Sequence, residues 1–160
     1  MTRTIDMVKI GVISDTHGHL DPQVREIFAG VDHILHAGDI GLPALILELE
    51  DIAPVTAVVG NTDVGLVFKE TAVVELDGRK FLVHHKLDIN SPDEAIQRRI
   101  VRENPNVVVF GHTHQRYCET LGQILYFNPG YAGKRKADHL RSVAILQCDD
   151  EGITADYFEL

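Results

Sequence analysis

Val107-Val108-Val109-Phe110-Gly111-His112-Thr113-His114 is the stretch that decides how this chain folds. A short apolar run rich in β-branched residues and bounded by glycine reads as a buried strand. The strand ends in a turn that presents two imidazoles two residues apart, which packing does not explain. Imidazole is the commonest side-chain ligand for transition metals, and a turn at a strand end lets ligands converge. Four other apolar runs end in the same kind of residues: Asp15-Thr16-His17, Gly38-Asp39, Gly60-Asn61-Thr62-Asp63 and His84-His85. In open sheets, ligands gather beyond the carboxyl ends of parallel strands. The common position predicts that these five motifs meet in space.

Working outward, strands are predicted at Met7–Ser14, His33–Ala37 and Val55–Val59. Helices are predicted between them at Pro22–Ala29, with Asp21 as N-cap, and at Pro43–Glu50. This β-α-β-α-β order argues for a parallel sheet with covered faces. Thr71–Leu76 and Arg79–His84 flank Asp77-Gly78, a two-residue hairpin signal. Ser91-Pro92, with Glu94 at capping-box spacing, starts a helix to Glu103 carrying Ala95, Ile96, Ile100 and Val101 on one side. Further strands follow at Val107–Phe110, Gln115–Thr120, Ile124–Asn128, Ser142–Gln147 and Ile153–Phe158. The fold class is therefore α/β (α+β): two mixed β-sheets flanked by helices, a four-layer αββα sandwich, in one domain over residues 1–160.

Composition narrows the function. Fifteen Lys and Arg against 24 Asp and Glu give a net charge of −9. That balance opposes attraction to long nucleic acid and to anionic membrane. A phosphate site here needs local positive charge, which metal ions could supply. Residues 1–6 lack a secretion-signal pattern, no stretch is apolar enough to span a bilayer, and Cys118 and Cys148 make no disulfide framework. A cytoplasmic protein is the expectation. Nine histidines are the compositional oddity, and most lie in or beside the five motifs.

Asp-x-His alone is weak, and Gly-Asp and Gly-Asn are common turn dipeptides. The ordered set, from Asp15-x-His17 to Gly111-His112-x-His114, resembles the calcineurin-like metallophosphoesterase superfamily. Within it, the short length, Asp63 at the end of Gly-Asn-x-Asp, and Asn128-Pro129-Gly130 after a late strand resemble the small bacterial and archaeal phosphodiesterases of the YfcE type. The resemblance implies two divalent transition-metal ions bridged by Asp39. One also takes Asp15, His17 and His114; the other takes Asn61, His85 and His112. It implies hydrolysis of small phosphodiesters by a metal-bridging hydroxide, with Asn61 and Asp63 as catalytic residues. Four histidine ligands favour Mn, Fe, Zn or Ni over Mg or Ca, with Mn expected from the resemblance.

The chain also departs from the pattern. Many relatives in the superfamily carry a histidine after the asparagine, able to protonate the leaving oxygen, where this chain has Thr62. A threonine hydroxyl is a poor general acid at neutral pH, which favours diesters and good leaving groups. The fourth motif of the subgroup reads Thr-His-Gly-His, whereas this chain has His84-His85-Lys86-Leu87. The ligand register is His84 or His85, with His85 the better alignment. Lys86 and Arg135, the latter in the basic run Lys134-Arg135-Lys136 before Arg141, are the substrate-binding candidates. His36 reads as a satisfied strand histidine, His19 as a residue near the site mouth, and His33 and His139 as surface. Two other functions share these residues: a protein-interaction scaffold on the same fold, as in the small retromer subunit, and a phosphomonoesterase. A mononuclear or structural metal protein is a further reading. A homo-oligomer is compatible with the chain, but no residue run marks an interface.

Overall fold

Strands that are apolar on both faces must be covered twice, and that requirement organises this molecule. The computed structural model describes residues 7–160, so residues 1–6, read above for a secretion signal, lie outside the described residues. The first sheet has the order β10-β9-β1-β2-β3. Its strands are β1 (Val8–Ile13), β2 (His33–His36), β3 (Val55–Ala57), β9 (Ser142–Asp149) and β10 (Gly152–Glu159). β1, β2 and β3 are parallel, and β9 runs antiparallel to both β1 and β10. The second sheet has the order β4-β5-β6-β8-β7, built from β4 (Thr71–Leu76), β5 (Arg79–His84), β6 (Val107–Val109), β7 (Arg116–Leu121) and β8 (Ile124–Pro129). There β5, β6 and β8 are parallel, and the outer strands β4 and β7 are antiparallel.

Alternation along each strand feeds two different cores. Ile10, Val12 and Leu35 of the first sheet meet Phe81, Val83, Val107, Val109 and Phe127 of the second in one buried cluster between the sheets. On the outer face of the first sheet, Ile13, Ile34, Val143 and Ile145 pack under α1 (Gln23–Ile27) and α2 (Pro43–Glu50) through Val24, Phe28, Leu45 and Leu49. On the outer face of the second, Leu82, Val108 and Phe110 pack against Ile96 and Ile100 of α3 (Glu94–Glu103). The result is the four-layer αββα arrangement of two mixed sheets that the sequence predicts. Among the described residues, no helix is long and apolar enough to cross a membrane.

Two helix starts differ from expectation. Asp93, not Ser91, caps α3: its carboxylate accepts the Ala95 amide at 2.9 Å. The competing carboxylate sits closer to the first turn than the serine, so the capping box does not form. Of the apolar side assigned to α3, only Ile96 and Ile100 are buried, whereas Ala95 and Val101 face solvent. Helix α1 begins after Pro22, yet Asp21 still accepts the Gln23 amide at 2.9 Å. Its other oxygen takes a buried ion pair from Arg141 at 2.9 Å. Arg141 thus belongs to the framework and not to a basic surface cluster.

His36, at the end of β2, is fully buried and satisfied. The Gly38 amide donates to its Nδ1 at 3.1 Å, so the proton resides on Nε2, which faces the Thr16 hydroxyl at 2.9 Å. Thr16 passes its own proton to the Ile40 carbonyl at 3.0 Å. Burial pulls the His36 pKa down to about 4, against the partial opposition of Asp15 and Asp63. The unfolded chain, with a histidine pKa near ~6.5, therefore takes up the proton first. Stability from this group is present at neutral pH and is lost as pH falls from about 6.5 through about 4. Between pH ~7.5 and pH ~5, the unfolding free energy of the metal-free protein from urea titrations should fall by roughly 2 kcal/mol less in His36→Gln than in wild type.

Candidate metal centre

The parallel strands of both sheets end at one rim, and the five motifs leave from it. The β1 and β2 loops stay zipped after the strands end: the amides of Asp15, His17 and Gly18 donate to the carbonyls of Gly38, Asp39 and Ile40 at 3.0, 2.9 and 2.7 Å. The Gly111 amide donates to the His85 carbonyl at 3.0 Å, extending the β5–β6 pairing in the same way. Asp15 helps to join the two sheets here. Oδ2 of Asp15 accepts the His112 amide at 3.2 Å and the Ser14 hydroxyl at 2.6 Å.

The backbone at this rim is strained. Seven non-glycine residues have positive φ among the described residues, and five are predicted ligands: Asp15 (56°), His17 (46°), Asp39 (54°), His112 (72°) and His114 (61°). Such conformations cost on the order of 1–3 kcal/mol each and persist only where the surroundings impose them. Two motif glycines have a different reason. A Cβ at Gly60 would collide with the Asp39 carboxylate, and one at Gly111 would collide with Ser14 and lie 2.7 Å from Oδ2 of Asp15. The acids occupy the space a side chain would need.

Asp15 Oδ1 is buried without a hydrogen-bond partner. Around it lie Nε2 of His114 at 3.4 Å and Nε2 of His17 and His85, each at 3.9 Å. Oδ2 of Asp39 lies 3.3 Å from His85 Nε2 and 3.7 Å from His17 Nε2, and so touches both groups. Asn61 Oδ1 is 3.0 Å from His85 Nε2 and 3.0 Å from His112 Nδ1. Asp15, His17 and His114 form one set able to hold an ion, and Asp15, Asp39 and His85 another.

His85 shows what the centre requires. Its Nδ1 lies 2.7 Å from the Ala37 carbonyl, which can only accept, so Nδ1 carries the proton. In the neutral ring, Nε2 then aims its lone pair at oxygens of Asp39 and Asn61. A cation or a proton must stand between them. Burial pulls the His85 pKa down, but the Asp39 hydrogen bond and the charge of Asp15 outweigh it and raise the net value. Burial likewise pushes Asp39 up, yet His85 and the Thr62 amide, at 3.0 Å, bring it well below the usual carboxylate range. The donor set, two carboxylates with imidazole and amide donors and an orphaned buried oxygen, suits divalent transition metals.

The remaining candidates fall in different places. Asp63 accepts the amides of Ile40 (3.0 Å), Gly41 (2.9 Å) and Gly60 (2.9 Å), binding the Asp39 loop to the Asn61 loop. Both its oxygens face backbone donors, which ties the two loops together. His84 turns away to the Thr71 hydroxyl at 2.8 Å. Lys86 is exposed and shares a hollow with Asn61 and His85. Arg135 faces a separate depression with Glu159 and Leu160, whereas Lys136 lies over the Tyr131 ring at 5.2 Å. Asn128 donates to the Gly111 carbonyl and the Thr113 hydroxyl, both at 3.1 Å, bracing the opening motif.

His139 corrects the sequence reading, which put it at the surface. It is half-buried, with Nε2 3.1 Å from His114 Nδ1, and Tyr131 packs on both rings. His33 is also half-buried, against Thr56 Oγ1 at 2.8 Å. Sequence spacing carries no signal for His139, because it lies 25 positions beyond His114, with β7 and β8 between them.

Residues 8–151 match the model of the calcineurin-like phosphoesterase superfamily domain. The chain belongs to that superfamily. It is 33% identical over 156 residues to a probable metallophosphoesterase of Methanothermobacter thermautotrophicus, covering 92% of this chain and 90% of that protein. It is 31% identical over 170 residues to the phosphodiesterase YfcE of Escherichia coli, covering 89% of each. The fold also superposes on vacuolar protein sorting 29 of Cryptosporidium parvum, with a TM-score of 0.77 at 20% identity, over 96% of this chain and 98% of that one.

Replacing Asp63 by Ala should release three backbone amides and part the two ligand loops. We expect a loss of roughly 2–3 kcal/mol in urea unfolding, together with faster amide exchange at Ile40, Gly41 and Gly60. Unchanged exchange at those three amides would contradict the positioning role.

Proposed function

We propose that this chain is a dinuclear metal-dependent phosphodiesterase acting on small phosphodiesters. The observation that carries the proposal is the orphaned Oδ1 of Asp15, buried among three imidazole nitrogens. An anionic oxygen buried with no donor is costly unless a cation completes it. Asp15, His17, Asp39 and His114 would hold one ion, and Asp39, Asn61, His85 and His112 the other, with Mn the expected metal. When bound, such ions supply Lewis acidity toward phosphate oxygens and a water of lowered pKa.

The chain's own residues supply orientation and selectivity. Asp39 is available to both groups through Oδ2, which supports a bridging role. Asn61 turns Oδ1 toward His85 and His112, leaving its exposed amide nitrogen to donate to a phosphate oxygen. As a neutral ligand it adds no charge to a site that must admit an anion. Thr62 spends its amide on Asp39 and offers only a hydroxyl to a leaving oxygen. Without a general acid at that position, leaving groups that depart as stable anions are favoured. The YfcE relative is named a phosphodiesterase, which supports the same substrate class. We place the protein in the cytoplasm, consistent with its two free cysteines.

Protein stripped of metal and reloaded with Mn, Ni, Zn or Mg in turn should hydrolyse bis(p-nitrophenyl) phosphate faster than p-nitrophenyl phosphate, and bind two ions per chain. Asp39→Ala should lose both ions and all turnover. Failure of every metal to give turnover in folded protein would overturn the reading, and a monoester preference would overturn the argument from Thr62.

His139 provides a separate check. An ion on His114 Nε2 leaves the Nδ1 proton to donate to His139 Nε2, fixing the ring as outer partners of metal-bound histidines do. In metal titrations, His139→Phe should weaken one of the two ions by about 10–100-fold, and His139→Gln, which retains an acceptor, should recover part of the loss. Identical titrations of wild type and His139→Phe would rule the role out.

A further inference from the structure

On the Asn61 and His85 side, the candidate centre opens toward a large concavity. The hollow that contains Asn61 and His85 is also lined by Glu70, His84 and Lys86. Those last three residues reappear in the wall of a cavity of about 900 Å³ running between the β4–β5 edge and α3. Arg98, Arg99 and Arg102 line its far side. With Lys86 they place four of the chain's fifteen basic residues around one space beside the centre, on a molecule of net charge −9. Composition alone would not gather them there.

We propose that this cavity is a subsite for a second phosphate carried by the substrate, outside the phosphodiester that is cut. The inference rests on the phosphodiesterase reading and names the substrate class: a diester bearing a further phosphate, of nucleotide size. Lys86 lines both spaces and stands where they join, a position between the two phosphates of such a substrate. The arginines are not locked to distant acids. Arg98 pairs with Glu94 at 3.3 Å and Arg99 with Glu103 at 3.2 Å, both within one turn of the same helix. Arg102 reaches Glu103 only at 4.0 Å. The exposed Arg98–Glu94 pair contributes about 0.3–0.5 kcal/mol and yields readily to a phosphate, which guanidinium groups bind in a fork; Arg99–Glu103 is part-buried and held more firmly.

Three acids, Glu70, Asp88 and Asp93, share the wall with the four cations. Asp88 accepts the amides of Asn90 and Ser91 at 3.0 and 3.3 Å, and Asp93 accepts that of Ala95 at 2.9 Å. Each turns an oxygen into the loop that shapes the cavity. Glu70 lies beside His84, at the Lys86 end. The volume falls within the range of about 300–1,000 Å³ typical of small-molecule sites. It accommodates a nucleoside with its phosphate.

Two measurements test the subsite. In the first, Mn-loaded protein is assayed with thymidine 5′-(p-nitrophenyl phosphate) and with the same diester phosphorylated at the 3′ oxygen. The phosphorylated probe should have a KM about tenfold lower in wild type. Arg98→Ala/Arg99→Ala/Arg102→Ala should erase that advantage, and Lys86→Ala should reduce it. Equal KM for the two probes in wild type, or an equal effect of the triple variant on both, would overturn the proposal. In the second, thymidine 3′,5′-bisphosphate is titrated calorimetrically into metal-free protein, with binding expected to weaken about tenfold in the triple variant. No binding to wild type, or equal binding to both, would overturn it as well. Absence of any turnover would count against the phosphodiesterase reading alone, because the calorimetric result does not depend on it.

Discussion

A buried carboxylate oxygen with no donor is the constraint on which the rest of this molecule depends. Asp15 fixes one oxygen with Ser14 and the His112 amide and leaves the other facing three imidazoles. To hold that arrangement, strands from two sheets must end at the same rim, and their loops must turn within one or two residues. The left-handed backbone at five predicted ligands is how the turns are made so short. Gly60 and Gly111 are small because the carboxylates of Asp39 and Asp15 take up their side-chain volume. Strain, glycine placement and topology all follow from bringing like partial charges together.

The cores between and outside the sheets make that strain affordable. Ile10, Val12, Val107, Val109 and Phe127 are fully buried between the sheets. Burying a large aliphatic side chain contributes roughly 1.5–3 kcal/mol, so a few such residues offset the strain of the rim. Hydrogen bonding then sets direction. Asp63 ties two loops through three amides, Asn128 braces the opening motif, and His36 links β2 to the Thr16 turn. None of these side chains needs to touch a substrate to determine where the ligands point.

Much of this was legible in the sequence because period and punctuation are local. The apolar runs, the Asp77-Gly78 hairpin and the extent of α2 are all set by neighbouring residues, and the αββα layering follows from their order. The ordered motifs, taken with a family resemblance, named residues that the fold brings to one rim. What escaped depends on tertiary contact. His139 reaches His114 from 25 residues away, and Arg141 finds Asp21 from 120 residues away. Asp93 displaced Ser91 as the cap of α3 because two capping side chains competed, and only geometry decides between them. Lys86 could be read from sequence only as a substrate-binding candidate, and the three arginines of α3 across the same cavity come from the fold.

The strained rim also bears on the choice between enzyme and scaffold. Superposition on vacuolar protein sorting 29 establishes a common fold and nothing about a common role. A protein that used this fold only as a docking surface would gain stability by relaxing Asp15, His17, Asp39, His112 or His114 to glycine, relieving ~1 kcal/mol or more at each. It would also gain by removing the orphaned oxygen of Asp15, whose burial costs on the order of 1–3 kcal/mol. Here each of those five positions holds a metal-competent side chain at the same rim. A docking surface has no use for that convergence, whereas these residues would hold a cation if one were bound at the centre.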